Sequence, residues 1–414
     1  MTEIAAMESP IVWGRAGVLP ICFVVDPALA RQVLQGDQER FRRNPLVNRV
    51  LRSVSGRNLF TASGPAWQWR RSLIGPSLRR EAIDRRSPDL IRAVDGAIAS
   101  WPSGVAVDAQ ALTMQAALDV AAEMMFSTTL DPGAALNLRR AMDDVVGWIS
   151  ARMERPLSAP LSVPTSANRR FRRSRRRARE LVGDLVDRRL EGSSATSDLL
   201  DDLIGAVDPG TGRALSREQL VDEVLVLLFA GHETTASAAA WAIELLARHP
   251  VEQDRAAAEV VRATSGGPLA LELIPQLHLV RAVVDETLRL YPPAWGVPRM
   301  PYRTAKLGSV TVRPFTPTIV ALAAMHRSPA DWEDPTEFRP DRFVGAGRNK
   351  SHQPFGLGPR RCVGANFATQ ELVVLIASLL RDRALVSATD QPATPHAAFA
   401  LRARGSRVVF TPRV

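Results

Sequence analysis

Two cysteines, Cys22 and Cys362, are all that 414 residues carry. They cannot form a disulfide framework, so a reducing cytoplasm is the expected home. The start, MTEIAAMESPIVWGRAG, lacks the basic-then-apolar pattern of a secretory leader. Long apolar runs are missing too. VLVLLFAG, Val224 to Gly231, is closed off by Glu223 and His232. It falls far short of the roughly 20 residues that a membrane span needs. No transmembrane anchor is expected. Neither an internal repeat nor a clear linker is visible. The loosest stretch, EGSSATSD from Glu191 to Asp198, reads as a surface loop.

What is present is enough for a large core: 46% of residues are apolar and 23% charged. The length exceeds the usual single-core limit of roughly 250–300 residues. Two domains, or one large domain built around something else, would account for it. The formal charge of +10 favours acidic partners without choosing among nucleic acid, membrane and protein. The run RRFRRSRRRAR, Arg169 to Arg179, reads as a solvated helix face with Phe171, Ala178, Leu181 and Leu185 turned inward. No aromatic stacking platform or zinc-finger spacing accompanies it, so no nucleic-acid partner is expected.

The first 25 residues read as a hairpin, IVWGRAG against ICFVV. From Asp26 to Leu290 apolar residues recur at three- and four-residue spacings, as in LDVAAEMMF, which predicts helices. After Tyr291 prolines and β-branched residues predict short strands and turns. One more helix follows Cys362, and FALRAR with RVVFTP reads as a terminal strand pair.

Ser216 and Gln219 form a capping box, and the spacing predicts a helix from there to His249, stopped by Pro250. Its centre is apolar on all sides yet contains AGHETTAS, Ala230 to Ser237. Burying a carboxylate and hydroxyls is costly unless they are paired or used. A zinc protease is excluded, because Ala236 stands where the second histidine would be. Two readings remain on this stretch alone: a proton relay through Glu233 and Thr234, or a hydrogen-bonded polar plug. Downstream, Glu286 and Arg289 of DETLRL share a helix face, and EFRPDRF offers Arg342 as a third partner.

Cys362 lies in FGLGPRRCVG. A dinucleotide fingerprint fails because Arg361 occupies its last glycine slot. A nucleophilic cysteine would need a histidine base that no local pattern identifies. A thiolate metal ligand fits better, with glycine amides, Arg360, Arg361 and a following helix N-terminus favouring the anion. One cysteine cannot build a zinc or iron–sulfur site, but it can be the only protein ligand of a haem iron.

FGLGPRRCVG matches every fixed position of the cysteine-loop signature of the cytochrome P-450 family, a highly specific pattern. AGHETT is similar to the family's acid–alcohol motif, ETLR to its Glu-x-x-Arg, and PDRF to its arginine-bearing motif. WQWRR is similar to its early Trp-x-x-x-Arg, through Trp67 and Arg71. These motifs stand in family order from residue 67 to 364. The chain therefore resembles the soluble bacterial members over nearly its whole length.

The resemblance implies one mainly α-helical domain over residues 1–414, with small β-sheets. Its N- and C-terminal portions would be β-rich, its middle helical, and no reductase domain is expected. A haem b would lie between the long central helix and the cysteine-loop helix. Cys362 would ligate the iron, and Trp67, Arg71, Arg299 and Arg360 would hold the propionates. Phe355, Gly356 and Gly364 of the loop, with Ala230 and Gly231 of the long helix, would also bind the haem. Glu233 and Thr234 would deliver protons, with Glu286, Arg289 and Arg342 as scaffold. Arg360 replaces the histidine of many members.

The implied activity is a monooxygenase that inserts one atom of O2 into an apolar small molecule, such as a terpenoid or fatty acid. Phe229, Ala294, Trp295, Val297 and Phe399 stand where the family contacts substrate. Electrons would come from a ferredoxin with its reductase, docking near Arg79, Arg80 and Arg361. Two rivals on the same fold, a peroxide-using peroxygenase and a haem sensor or carrier, have no need of Glu233 and Thr234. The stretch between Asn44 and Trp67 is short for the family's substrate-covering helix.

Overall fold

The computed structural model describes residues 9–36, 40–154, 158–192, 198–345 and 349–413. The helices that position the site are α1 (Pro45–Ser55), α2 (Pro65–Ile74), α3 (Ala109–Phe126), α4 (Pro132–Glu154), α5 (Ser166–Leu190), α6 (Arg217–Arg248), α7 (His278–Leu290) and α8 (Ala365–Asp382). The stretch between Asn44 and Trp67 proves long enough for α1. Asn44 caps it by accepting from the amides of Leu46 and Val47, and Pro45 sits at its first position.

Helix α6 is the axis of the molecule. Ser216 and Gln219 exchange both capping-box hydrogen bonds at its start. It ends at Arg248, because His249 leaves helical geometry before Pro250. α3, α5, α7 and α8 all pack on it. From Glu223 to Ala247 every residue is buried except Ala230, Gly231 and Thr234. At Gly231 an added Cβ would lie 3.1 Å from Met125 Cε and 3.8 Å from Ala121 Cβ of α3. The missing side chain therefore lets α3 pack close against α6 at this point.

Most strands lie near the two ends of the chain. β1 (Ile11–Ala16) and β2 (Leu19–Val24) form the predicted hairpin, and it joins β3 (Phe41–Arg42), β5 (Val297–Pro301) and β6 (Thr318–Val320) in one sheet. The expected terminal strand pair is not a pair. β9 (Leu401–Arg404) bonds to β8 (Thr394–Ala397), while β10 (Arg407–Pro412) bonds to β7 (Arg383–Ser387) and to β4 (Ala106–Asp108). β9 closes a short hairpin with the strand just before it, which leaves β10 to pair with β7 and β4. Of the surface loop expected at Glu191–Asp198, residues 193–197 lie outside the described residues.

Candidate haem-thiolate site

The cysteine loop is built by two left-handed glycines, Gly356 (φ 70°) and Gly358 (φ 74°). A Cβ at Gly358 would sit 2.3 Å from the Leu34 carbonyl oxygen, so only glycine fits there. The Cys362 amide donates to the Phe355 carbonyl at 3.0 Å, closing the loop over the start of α8. Cys362 is exposed because it borders a cavity of about 510 Å³, shared with Trp67, Arg71, Arg79 and Arg361. The protein packed around it nonetheless raises its thiol pKa, outweighing the Gly364 amide, Arg71 and Arg361, which lower it. Arg360 takes no part in that balance. Of the groups expected to favour the anion, a backbone amide and Arg361 do so, and Arg71 acts on the thiol where Arg360 was expected to.

Arg360 is turned instead over the Trp67 ring, 4.3 Å from its centroid, and donates to the Ala62 carbonyl at 3.0 Å. Arg71 donates to the Arg361 carbonyl at 2.6 Å, and Arg299 to that of Pro298 at 2.9 Å. Arg299 and Arg360 are joined by Arg43, which donates to the Phe60 carbonyl and which sequence reasoning missed. Burial, then Arg360, Arg299 and Arg52, pull Arg43 down to about 9. Arg299 and Arg360 are each pulled down to about 10, first by burial, then by Arg360 and Arg71 respectively. None of the three has a carboxylate partner among the described residues. Crowded, desolvated guanidiniums without an anion mark a site for carboxylates. Arg43 stands in an ordinary arginine-rich stretch, RFRRNP, so no sequence signal singled it out.

Among the described residues no group of three or more His, Cys, Asp or Glu could hold a metal ion. A lone thiol beside carboxylate-seeking arginines therefore fits a haem, with one protein ligand and two propionates, better than a metal cage.

On α6, Thr234 Oγ1 donates to the Ala230 carbonyl at 2.7 Å. Glu233 is wholly buried and held at both oxygens by Arg402 of β9, at 2.7 Å each. Arg402 also reaches Asp143 Oδ1 at 3.0 Å, and desolvation apart, these carboxylates hold its proton tightly. Sequence reasoning missed Arg402, which lies 169 residues from its partner. Ala230, Gly231 and Thr234 do not line the cavity beside Cys362.

The scaffold is continuous with the loop. Arg289 grips Glu286 at 2.6 and 2.8 Å, and Arg342 adds a bond of 3.1 Å. Arg289 also donates to the His326 carbonyl at 2.9 Å, and His326 Nε2 accepts from the Gln353 amide at 2.9 Å. Gln353 opens the cysteine loop. Of the expected substrate contacts, Phe229 and Phe399 meet, with ring centroids 4.7 Å apart, and Phe60 joins them 6.3 Å from Phe399. Ala294 is exposed, and Val297 packs with the N-terminal sheet, its Cγ2 3.9 Å from where a Cβ on Gly356 would lie.

The family model described as Cytochrome P450 matches residues 1–409. A cyclooctat-9-en-7-ol 5-monooxygenase of Streptomyces melanosporofaciens is 30% identical over 357 residues, covering 85% of this chain and 77% of its own. A pentalenene oxygenase of Streptomyces avermitilis is 28% identical over 358 residues, covering 86% and 79%. The crystal structure of the cytochrome P450DA heme domain matches the fold with a TM-score of 0.88 at 23% identity, over 100% of this chain and 92% of that one.

Proposed function

This chain belongs to the cytochrome P450 family, and from that premise we propose that it oxidises a terpenoid-type substrate with haem b and electrons from a separate ferredoxin. The family makes it a monooxygenase that uses haem iron, O2 and a small molecule. The observation that carries the haem b reading is the set of three guanidiniums, Arg43, Arg299 and Arg360, gathered without a carboxylate of their own. Two propionates answer that imbalance. Cys362 then offers the thiolate, with the Gly364 amide aimed at its sulfur. Bound there, haem iron supplies the reductive splitting of O2 and the transfer of one oxygen atom.

The remaining chemistry belongs to the chain. Thr234 parks its own proton on the Ala230 carbonyl, so its oxygen lone pairs face outward as acceptors. To give a proton it must first leave that carbonyl. Glu233 cannot relay directly while Arg402 occupies both its oxygens. Water replenishing Thr234 is the simpler route, with Glu233 joining only when Arg402 withdraws.

A terpenoid substrate is supported by the apolar cluster of Val50, Val54, Phe229 and Phe399, and by the names of two relatives. Ferredoxin docking is supported by the exposed Arg79 and Arg361, which line the Cys362 cavity, and by the exposed Arg80 next in sequence. The unpaired Cys22 and Cys362 suit a cytoplasmic setting. The test is spectroscopic. The reduced, carbon monoxide-bound protein is expected to show the red-shifted Soret band of thiolate ligation, and Cys362→Ser to lose it. Terpenoids, but not fatty acids, are expected to shift the iron spin state. A band retained in Cys362→Ser would end the ligand assignment, and a spin shift with fatty acids alone would end the substrate one.

A further inference from the structure

The arginine run on α5 is not absorbed by the haem site. Eight arginines stand between Arg169 and Arg179 with no acid among them. Two serve packing: Arg175 donates to the Val54 carbonyl at 2.9 Å, and Arg179 pairs with Asp222. The other six, Arg169, Arg170, Arg172, Arg173, Arg176 and Arg177, are exposed. At about 100° per residue they cover an arc of roughly 160° on the side opposite Phe171 and Ala178. Their position works against the helix. The N-terminal half of α5 is the positive end of its dipole and has no acid in its first turn, while Glu180, Asp184 and Asp187 stand further along. That is the reverse of the arrangement that stabilises a helix. Among the described residues only Glu180 pairs with any of these six, 3.7 Å from Arg176 and 3.8 Å from Arg177.

Beside this face lies an apolar tip. In the loop before α5, Pro160, Val163 and Pro164 are exposed, Val163 by 43%. The arginines fasten that loop: Arg172 donates to the Leu161 carbonyl, and Arg169 to that of Pro164 at 2.6 Å. Exposed guanidiniums around an exposed apolar tip are the composition of an interfacial element. We infer that the α5 arginine face and the loop at Val163 dock this protein on an anionic lipid surface.

An acidic protein explains the charges but leaves the apolar tip without a use. A convex arc of cations offers no pocket for one fixed carboxylate pattern, whereas a fluid layer of anionic headgroups conforms to it. Leu161, behind the tip, packs in the cluster that holds Phe171, Phe229 and Phe399. A lipid-dissolved substrate would therefore arrive on the side of the apolar cluster. Docking itself does not depend on the proposed reaction and is measured without turnover.

The holoprotein is sedimented with vesicles of equal parts phosphatidylglycerol and phosphatidylcholine, and with phosphatidylcholine alone. Binding is expected only to the anionic vesicles, weakening as salt rises. Each basic residue near such a surface contributes about fivefold, so R170E/R173E/R177E is expected to lose about 100-fold or more in partitioning. The control R85E/R213E/R262E, with the same change of charge at other exposed arginines, is expected to stay within about threefold of the parent. Val163→Asp is expected to remove the part of binding that persists in high salt. The melting temperature and carbon monoxide spectrum of each variant check the fold, and R170Q/R173Q/R177Q replaces the charge swap if it fails. Absence of vesicle binding, equal binding to neutral vesicles, or equal loss in the control would overturn the inference. So would retention of an acidic polypeptide without vesicle binding, which would assign the face to a protein.

Discussion

Arg402 and Glu233 meet across 169 residues of sequence, guanidinium to carboxylate, with two hydrogen bonds of 2.7 Å. The pair ties the C-terminal hairpin to the centre of α6. Because the same hairpin carries Phe399, which meets Phe229 of α6, the acid of the long helix and an apolar wall of the site share one support. Removing Arg402 strands a wholly buried carboxylate. Arg402→Ala is expected to cost about 3 kcal/mol in urea unfolding, as for other broken buried pairs. Addition of Glu233→Gln should recover part of that loss. An unchanged midpoint in the single variant would mean that solvent already screens the pair.

Thr234→Ala removes the hydroxyl but leaves the Ala230 carbonyl and the helix. It is expected to retain haem and the substrate-induced spin shift while releasing hydrogen peroxide in place of product. A lost acid–base relay typically costs 10²–10⁴-fold in the chemical step, and water filling the gap reduces that. Product and peroxide per NADH are the measurement. Unchanged coupling would leave Thr234 as a polar plug.

Arg43 makes a claim independent of turnover. With Arg43→Met, one charge-assisted donor to the propionates is gone, worth about 1.5–3 kcal/mol. Haem transfer to excess apomyoglobin is expected to quicken by at least about tenfold. A rate equal to that of the parent would place Arg43 outside the propionate site.

Glu286 and Arg289 are both wholly inaccessible and support the loop through His326 and Gln353. Glu286→Ala or Arg289→Ala is expected to cost about 3–5 kcal/mol and to yield little soluble holoprotein. Normal haem content and melting in either variant would reduce the pair to an incidental contact.

His232 predicts the acid side of the stability profile. Burial, then Arg402 and Arg139, hold its pKa down to about 3, and neither ring nitrogen has a partner among the described residues. The unfolded chain takes up a proton near pH 6.5 that the folded chain refuses. This contribution is complete above pH 6.5 and is lost as pH falls toward 3, by at most about 1.4 kcal/mol per pH unit. His232→Leu is expected to flatten the profile between pH 6.5 and 4 by about one proton's slope. His352, held down to about 4 first by burial, leaves some slope in place. Equal slopes in parent and variant would mean that water reaches His232.

The sequence by itself determined much that is local. The capping box of α6, the glycines of the cysteine loop and the Glu286–Arg289 spacing are short-range patterns, and they place Cys362, Thr234 and the scaffold pair in their elements. The tertiary structure decided what depends on distant segments. Arg402 reaches Glu233, Arg43 joins Arg299 and Arg360, and β10 pairs with β4, because each of these partners is chosen by packing across more than a hundred residues. Gly231 shows the division within a single residue. Its helix is written in the surrounding periodicity, yet what fills the space of its missing side chain, Met125 of α3, is set by how two helices cross.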